Sequence, residues 1–246
     1  TTKSYSLDTS DIGKVLTFSV TAVNGAGVTG NTDSISTKDA GGTTGGDTDN
    51  KGEVIDPAVP SAKHSVLSAD PQSITADGVM GSVLTFTAKN AGNEAITGLG
   101  SGVTFSMTGT PVILTAVSEG APGQYTATLT GTQAGTASVS VSVNGQAVTV
   151  PAVDITLTAG TADAAHSSLT AAPDSIVADN GLTTAGQSVV MLTLKDTQDN
   201  PVTGLTDVVL TVAGVTGTTL TTVTESPAGS GVYTATLSGT TAGTAA

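Results

Sequence analysis

Along residues 136–143 small apolar and hydroxylated side chains take strict turns. Ala137, Val139, Val141 and Val143 fall on one side, and Thr136, Ser138, Ser140 and Ser142 on the other. A period of two marks a strand with one face in a core, because successive side chains leave a strand on opposite faces. Asn144-Gly145 follows, a pair that accepts the positive φ angles of a two-residue hairpin. Similar patterning predicts strands around 64–69, 72–76, 82–89, 102–107, 112–117 and 124–130, with a last strand over 146–157. Upstream, Val15–Val23 places Leu16, Phe18, Val20 and Ala22 on one face. Turn signals at 11–13 and 24–27 bound that strand and predict a hairpin after it.

The pattern repeats. Residues 123–137 (GQYTATLTGTQAGTA) return as 231–245 (GVYTATLSGTTAGTA), with 12 of 15 positions identical. Tyr125, Ala127 and Leu129 share one face of the strand, Thr126 and Thr128 the other. His64, Pro71, Ile74 and Asp77 recur 102 residues later as His166, Pro173, Ile176 and Asp179. Lys89 and the Thr-Gly-Leu triplet at 97–99 recur at an offset of 106, so four residues are inserted between Asn180 and Gly186. A period near 100 residues, built from short strands, indicates tandem β-sandwiches rather than a solenoid. The expected organisation is a C-terminal piece of a sandwich over 1–40 and a Gly/Thr/Asp-rich linker over 41–60. A full module over 61–157 and a module over 158–246 that lacks its last strands complete it. The expected fold class is all-β, with tandem immunoglobulin-like sandwiches forming an elongated rod.

Composition narrows the function. Charged residues make up 11% of the 246, and the net charge is −13. Phosphate recognition needs clustered Lys and Arg, so nucleic acid is excluded as a partner, and docking on an anionic membrane is disfavoured. No apolar run approaches the roughly 20 residues that span a bilayer. With no cysteine, disulfides, zinc thiolates and thiol catalysis are excluded.

Candidate chemistry is sparse. Asp47-x-Asp49-x-Lys51-Gly52 approaches a calcium loop, but Lys51 and Ala58 stand where oxygen ligands are needed. A solvated acidic linker is expected there. His64 and His166 hold equivalent positions one repeat apart, which predicts packing between modules or plain exposure rather than a shared site. No nucleophile elbow or phosphate loop occurs. Three Tyr, three Phe and no Trp leave a sugar cleft poorly equipped. Tyr125 and Tyr233 are expected to form tyrosine corners, in which the hydroxyl bonds backbone upstream. The expected site inventory is therefore empty: no catalytic residue, no cofactor and no metal.

The order Ser-Ile-x-Ala-Asp, Thr-x-Lys, Thr-Gly-Leu and Gly-x-Tyr-Thr-Ala-Thr-Leu-x-Gly-Thr-x-Ala-Gly, read twice over residues 62–246, resembles the group 1 bacterial Ig-like domains of the intimin/invasin adhesins. The resemblance implies a passenger segment displayed on the bacterial surface by an outer-membrane β-barrel lying outside these residues. It implies a non-enzymatic, monomeric adhesin segment whose partner is a host cell-surface or extracellular-matrix protein, with no membrane contact of its own. Two other readings stand beside it, an inert structural spacer and a polysaccharide-binding accessory module. No binding residue of the family carries over.

Overall fold

The computed structural model describes residues 56–246 and the backbone of two strands before them. Those strands, β1 (Thr17–Val23) and β2 (Thr29–Ser36), pair antiparallel with Phe18 opposite Ile35, as the hairpin pattern predicts. Leu16 and most of the 41–60 linker, with Asp47 and Asp49, lie outside the described residues.

The first repeat is a two-sheet sandwich. One sheet orders β3 (Val66–Asp70), β5 (Ser82–Thr87), β9 (Gln124–Thr130) and β7 (Ile113–Leu114), with β8 (Ser118–Glu119) also on β9. The facing sheet orders β11 (Gln146–Ala147), β10 (Gly135–Val143), β12 (Val153–Thr158) and β4 (Ser73–Thr75), with β6 (Val103–Gly109) also on β10. All pairings are antiparallel except β12 with β4. Pro71, which has no N–H to donate, ends the ladder of β3, and the chain crosses to the other sheet as β4. The alternating valines of β10 are all buried, and they meet Leu84, Phe86, Tyr125 and Leu129 in one core. Asn144 and Gly145 both have positive φ, closing the β10–β11 hairpin with Val143 opposite Gln146.

Two expected strands differ in the structure: 112–117 shortens to β7, with β8 just beyond it, and 146–157 divides into β11 and β12. Thr115 interrupts 112–117 because its hydroxyl, in place of a backbone carbonyl, accepts the Thr128 amide at 2.8 Å. Thr221 does the same for Thr236 at 2.9 Å in the second repeat. The 146–157 strand ends as β11 at Ala147 and resumes as β12 at Val153, and Pro151, in the gap between them, cannot donate to a ladder.

The second repeat contains one sheet among the described residues. It orders β13 (Ser168–Ala172), β14 (Ser188–Thr193), β17 (Val232–Gly239) and β15 (Thr218–Leu220), with β16 (Thr224–Glu225) also on β17. Sequence patterning expects only the last strands to be missing. The structure also forms no strand at the counterparts of β6, 208–213, and of β4, 175–177, although Ala213 exchanges backbone hydrogen bonds with Ala246. In the first repeat those two strands pair only with β10 and β12. A strand without a neighbour has no ladder to join.

Candidate functional site

The polar features that order the two repeats are the ones to weigh. Strand β9 buries Tyr125 completely, and its hydroxyl reaches back to the 96–99 loop. It donates to the Ile96 carbonyl at 2.9 Å and accepts the Leu99 amide at 3.0 Å. Tyr233 repeats this, donating to Val202 at 3.0 Å and accepting from Leu205 at 3.1 Å. The expected tyrosine corners are present in both repeats. Burial raises the Tyr125 pKa, so the hydroxyl keeps its proton.

A glutamate completes each corner. Glu119 accepts the amides of Gly123 at 3.0 Å and Gly98 at 2.9 Å, tying the turn before β9 to the loop that the tyrosine holds. Glu225 takes Gly231 at 2.8 Å and Gly204 at 3.1 Å in the same way. Gly123 must be glycine: its φ is +72°, and a Cβ there would lie 3.1 Å from the Ala88 carbonyl oxygen. The Gly123 amide, then that of Gly98, holds Glu119 below the usual glutamate range, and the Gly231 amide leads the same effect on Glu225. The signal for these glutamates was in the sequence: Ser-Glu and Thr-Glu precede the two Gly-x-Tyr motifs by a few residues.

A carboxylate with a depressed folded pKa stabilises above its unfolded pKa, and that contribution is lost as pH falls through the folded value. The melting temperature of the chain should therefore decline on acidification from pH 6 to pH 3. In the doubly substituted Glu119→Gln, Glu225→Gln chain the decline should be shallower. Calorimetry across that range checks it, and parallel profiles for the two chains would remove the corners from the account.

The contact between the repeats is polar and buried. Asn200, 5% exposed, sits in the turn after β14 and reaches the 132–134 turn of the first repeat. Its Nδ2 donates to the Thr132 carbonyl at 3.0 Å, and its Oδ1 accepts the Ala134 amide at 2.7 Å. One primary amide thus satisfies a donor and an acceptor of another backbone, as a strand would. Asp196, 2% exposed, holds that amide with contacts to Nδ2 at 3.0 and 3.3 Å, and it accepts the backbone amide of Asn200 at 2.9 Å. It also accepts Gly160, on the connection between the repeats, at 2.8 Å. Burial pushes Asp196 up. Hydrogen bonds from the Asn200 side chain, Gly160, the Asn200 amide and Gln198 outweigh it and leave the pKa below the usual range.

Aligned repeats show what reading by strands missed. Where the second repeat has Asp196 and Asn200, the first has Asn90 and Glu94, with the Asn90 amide donating to Glu94 at 3.2 Å. The acid and the amide have exchanged places. A glutamate at 94 accepts hydrogen bonds but cannot donate to a carbonyl, so the clamp is particular to one joint. The histidines take no part in it. His166 is exposed, with Nδ1 3.1 Å from Asp199, and His64 is half-buried. Among the described residues no group of His, Cys, Asp or Glu could hold a metal ion.

A two-sheet sandwich and a second repeat with one sheet among the described residues, each with its tyrosine corner and joined by a buried clamp, define a modular all-β protein of the bacterial Ig-like class. The family described as "Invasin, domain 3" matches residues 61–160 and again 163–246, and the chain belongs to that family. Invasin of Yersinia enterocolitica is 34% identical over 98 residues, 40% of this chain and 12% of that protein. Among solved structures, invasin, described as a bacterial integrin-binding protein, aligns at 27% identity with a TM-score of 0.62 over 86% of this chain and 38% of its own. InvD of Yersinia pseudotuberculosis is 37% identical, with a TM-score of 0.57 over 75% of this chain and 52% of its own. The Escherichia coli adhesin FdeC is 30% identical, with a TM-score of 0.53 over 75% and 58%. The chain is thus an intimin/invasin-like adhesin segment with Ig-like domains, and it spans only part of each relative.

Proposed function

We propose that this chain is a non-enzymatic stalk segment of a bacterial surface adhesin, carried outside the cell on an outer-membrane β-barrel beyond these residues. Its working units are Ig-like modules at 61–157 and 158–246, preceded by the 41–60 linker and part of another module over 1–40. The stalk serves attachment to a host cell-surface or matrix protein, and the integrin-binding description of invasin makes an integrin the first partner to try. The Asn200 clamp carries the reading, because a segment that projects a binding tip needs joints that keep their angle. Two hydrogen bonds across the joint, at about 0.5–1.5 kcal/mol each, restrain bending without fusing the modules. The Thr- and Ser-rich outer faces of β9 and β10 add a hydroxylated surface on which weak polar contact with the host protein can form.

Asn200→Ala should leave the melting of the first repeat within about 0.5 kcal/mol, as expected for a site outside its core. It should broaden the distribution of angles between repeats, read by residual dipolar couplings or small-angle scattering. An unchanged distribution would remove the clamp from the stalk. Binding of the intact chain to epithelial cells and to immobilised integrin and matrix proteins separates a stalk with its own contact surface from a spacer. Saturable binding supports the first, and its absence leaves the second.

A further inference from the structure

A strand at the edge of a sheet keeps a row of unbonded N–H and C=O groups, and folded proteins blunt such rows with short strands, charge, proline or a bulge. Most edges of the first repeat are blunt. β7 and β11 are two residues long, β4 is three, and β3 stops at Asp70-Pro71. β6 is the exception. It is seven residues long, pairs with β10 alone, and holds its register from Val103 to Gly109 without a bulge. It contains no charge and no proline. Asp154 on β12 is the one charged residue in the strands of that sheet, and β10 lies between it and β6.

The ladder fixes which groups of β6 face outward. The Thr110 amide bonds the Thr136 carbonyl at 3.0 Å, and the Asn144 amide bonds the Gly102 carbonyl at 2.8 Å. Both contacts continue the β6–β10 register, so the even-numbered residues between them form the bonded rungs. Bonded and unbonded rungs alternate in an antiparallel pair, so the N–H and C=O of Val103, Phe105 and Met107 point away from β10. Among the described residues nothing bonds them from that side. The side chains divide by face. Val103 and Phe105 enter the core and Met107 packs against it, while Thr104, Ser106 and Thr108 stand exposed on the outer face.

We propose that the free edge of β6 pairs antiparallel with β6 of a second copy of the chain, joining two sheets into one across a two-fold axis at Phe105. The strand is self-complementary in that register. Phe105 opposes Phe105 and Val103 opposes Met107, so the outward groups of all three residues find partners, two hydrogen bonds to a rung. On the outer face Thr104 opposes Ser106, a hydroxyl pair of the kind that stabilises neighbouring strands. An extended segment of a host protein fits the same edge, but nothing in β6 selects its side chains, whereas self-pairing matches every facing pair. No like charges meet at the edge although the chain carries −13, and salt at physiological strength screens charges more than about 8 Å away. An isologous contact of this kind closes at two copies and does not propagate. Two paired edges bury less than the roughly 1,200 Å² of a stable complex, so dilute chains meet weakly and stalks crowded on a surface meet often. The edge gives the stalk a lateral contact with its own kind, separate from any host partner.

Sedimentation equilibrium of the intact chain at physiological salt tests this, with amide exchange as the local readout. The expected result is a reversible dimer with a dissociation constant on the order of 0.1–1 mM. With rising concentration the amides of Val103, Phe105 and Met107 should exchange more slowly. Those of Thr104 and Ser106, already bonded to β10, should not change. Thr104→Lys combined with Ser106→Lys sets like charges opposite each other on the exposed face and leaves the core untouched. It should weaken the dimer at least about tenfold. Mixing that chain with one carrying Thr104→Glu and Ser106→Glu should restore association. A chain that stays monomeric at millimolar concentration, a dimer indifferent to the lysines, or slowed exchange elsewhere with those three amides unchanged would each overturn the proposal. A monomer whose three amides slow only when soluble integrin is added would overturn it in favour of an extended host segment.

Discussion

Leu67→Ala should destabilise the first repeat by about 2–5 kcal/mol, while Leu169→Ala at the matching position of the second should cost less than about 1 kcal/mol. The two leucines occupy the same place on strands β3 and β13 and oppose equivalent residues, Phe86 and Leu192. Only the cover differs. Truncating Leu67, at 7% exposure, removes buried methyl groups and leaves a cavity that a sandwich sealed on both sides cannot easily collapse. At 61% exposure Leu169 has little burial to lose. Amide exchange in rising denaturant, read separately for β5 and β14, resolves the two losses within one chain. Equal losses would mean that Leu169 is as well covered in solution as Leu67. The ratio also gauges how much of each sandwich's stability comes from the second sheet.

Strand alternation was readable wherever a face was fully covered. The valines of β10, the Asn-Gly turn and the Tyr-Thr-Ala-Thr-Leu strand all answer to a single local rule, that alternate side chains enter the core. The tyrosine corner was legible because the tyrosine stands two residues after a glycine that opens the strand. The breaks at Thr115 and Pro151 were less legible. At Thr115 the decision lies with a hydroxyl that competes with a carbonyl for one amide, and residue patterning does not show which oxygen wins. Pro151 was in plain view, and its missing donor should have ended the strand. The collapse of the second repeat to one sheet was only half visible. The absence of strands equivalent to β10 and β12 followed from alignment. That 175–177 and 208–213 form no strand followed only from knowing which strands the matching segments of the first repeat pair with. The joint needed a comparison of repeats position by position, because Asp196 and Asn200 look like ordinary turn residues until Asn90 and Glu94 are set beside them.

Tyr125→Phe should lower the stability of the first repeat by about 1–3 kcal/mol, the cost of leaving buried backbone groups without a partner. The ring stays, so the apolar contacts of a fully buried side chain are retained and the change isolates the hydroxyl. Both of its bonds go to main-chain atoms of the 96–99 loop, the Ile96 carbonyl and the Leu99 amide. Phenylalanine offers neither a donor nor an acceptor in return. Glu119 grips the same loop one residue away through Gly98, so the two side chains act on one segment and should not be additive. In a double-mutant cycle with Glu119→Gln, whichever change is made second should cost less than it does alone, because the loop is already released. Chemical denaturation of the four chains gives the cycle, with amide exchange at Leu99 as the local readout. An unchanged unfolding midpoint in Tyr125→Phe would show that water replaces the hydroxyl without loss. The corner would then mark the module's ancestry and contribute nothing to holding it together. A clear loss with strong coupling to Glu119 would make the corner a cross-brace between the strand and the loop beside it, in a chain that has no cysteine to serve that purpose.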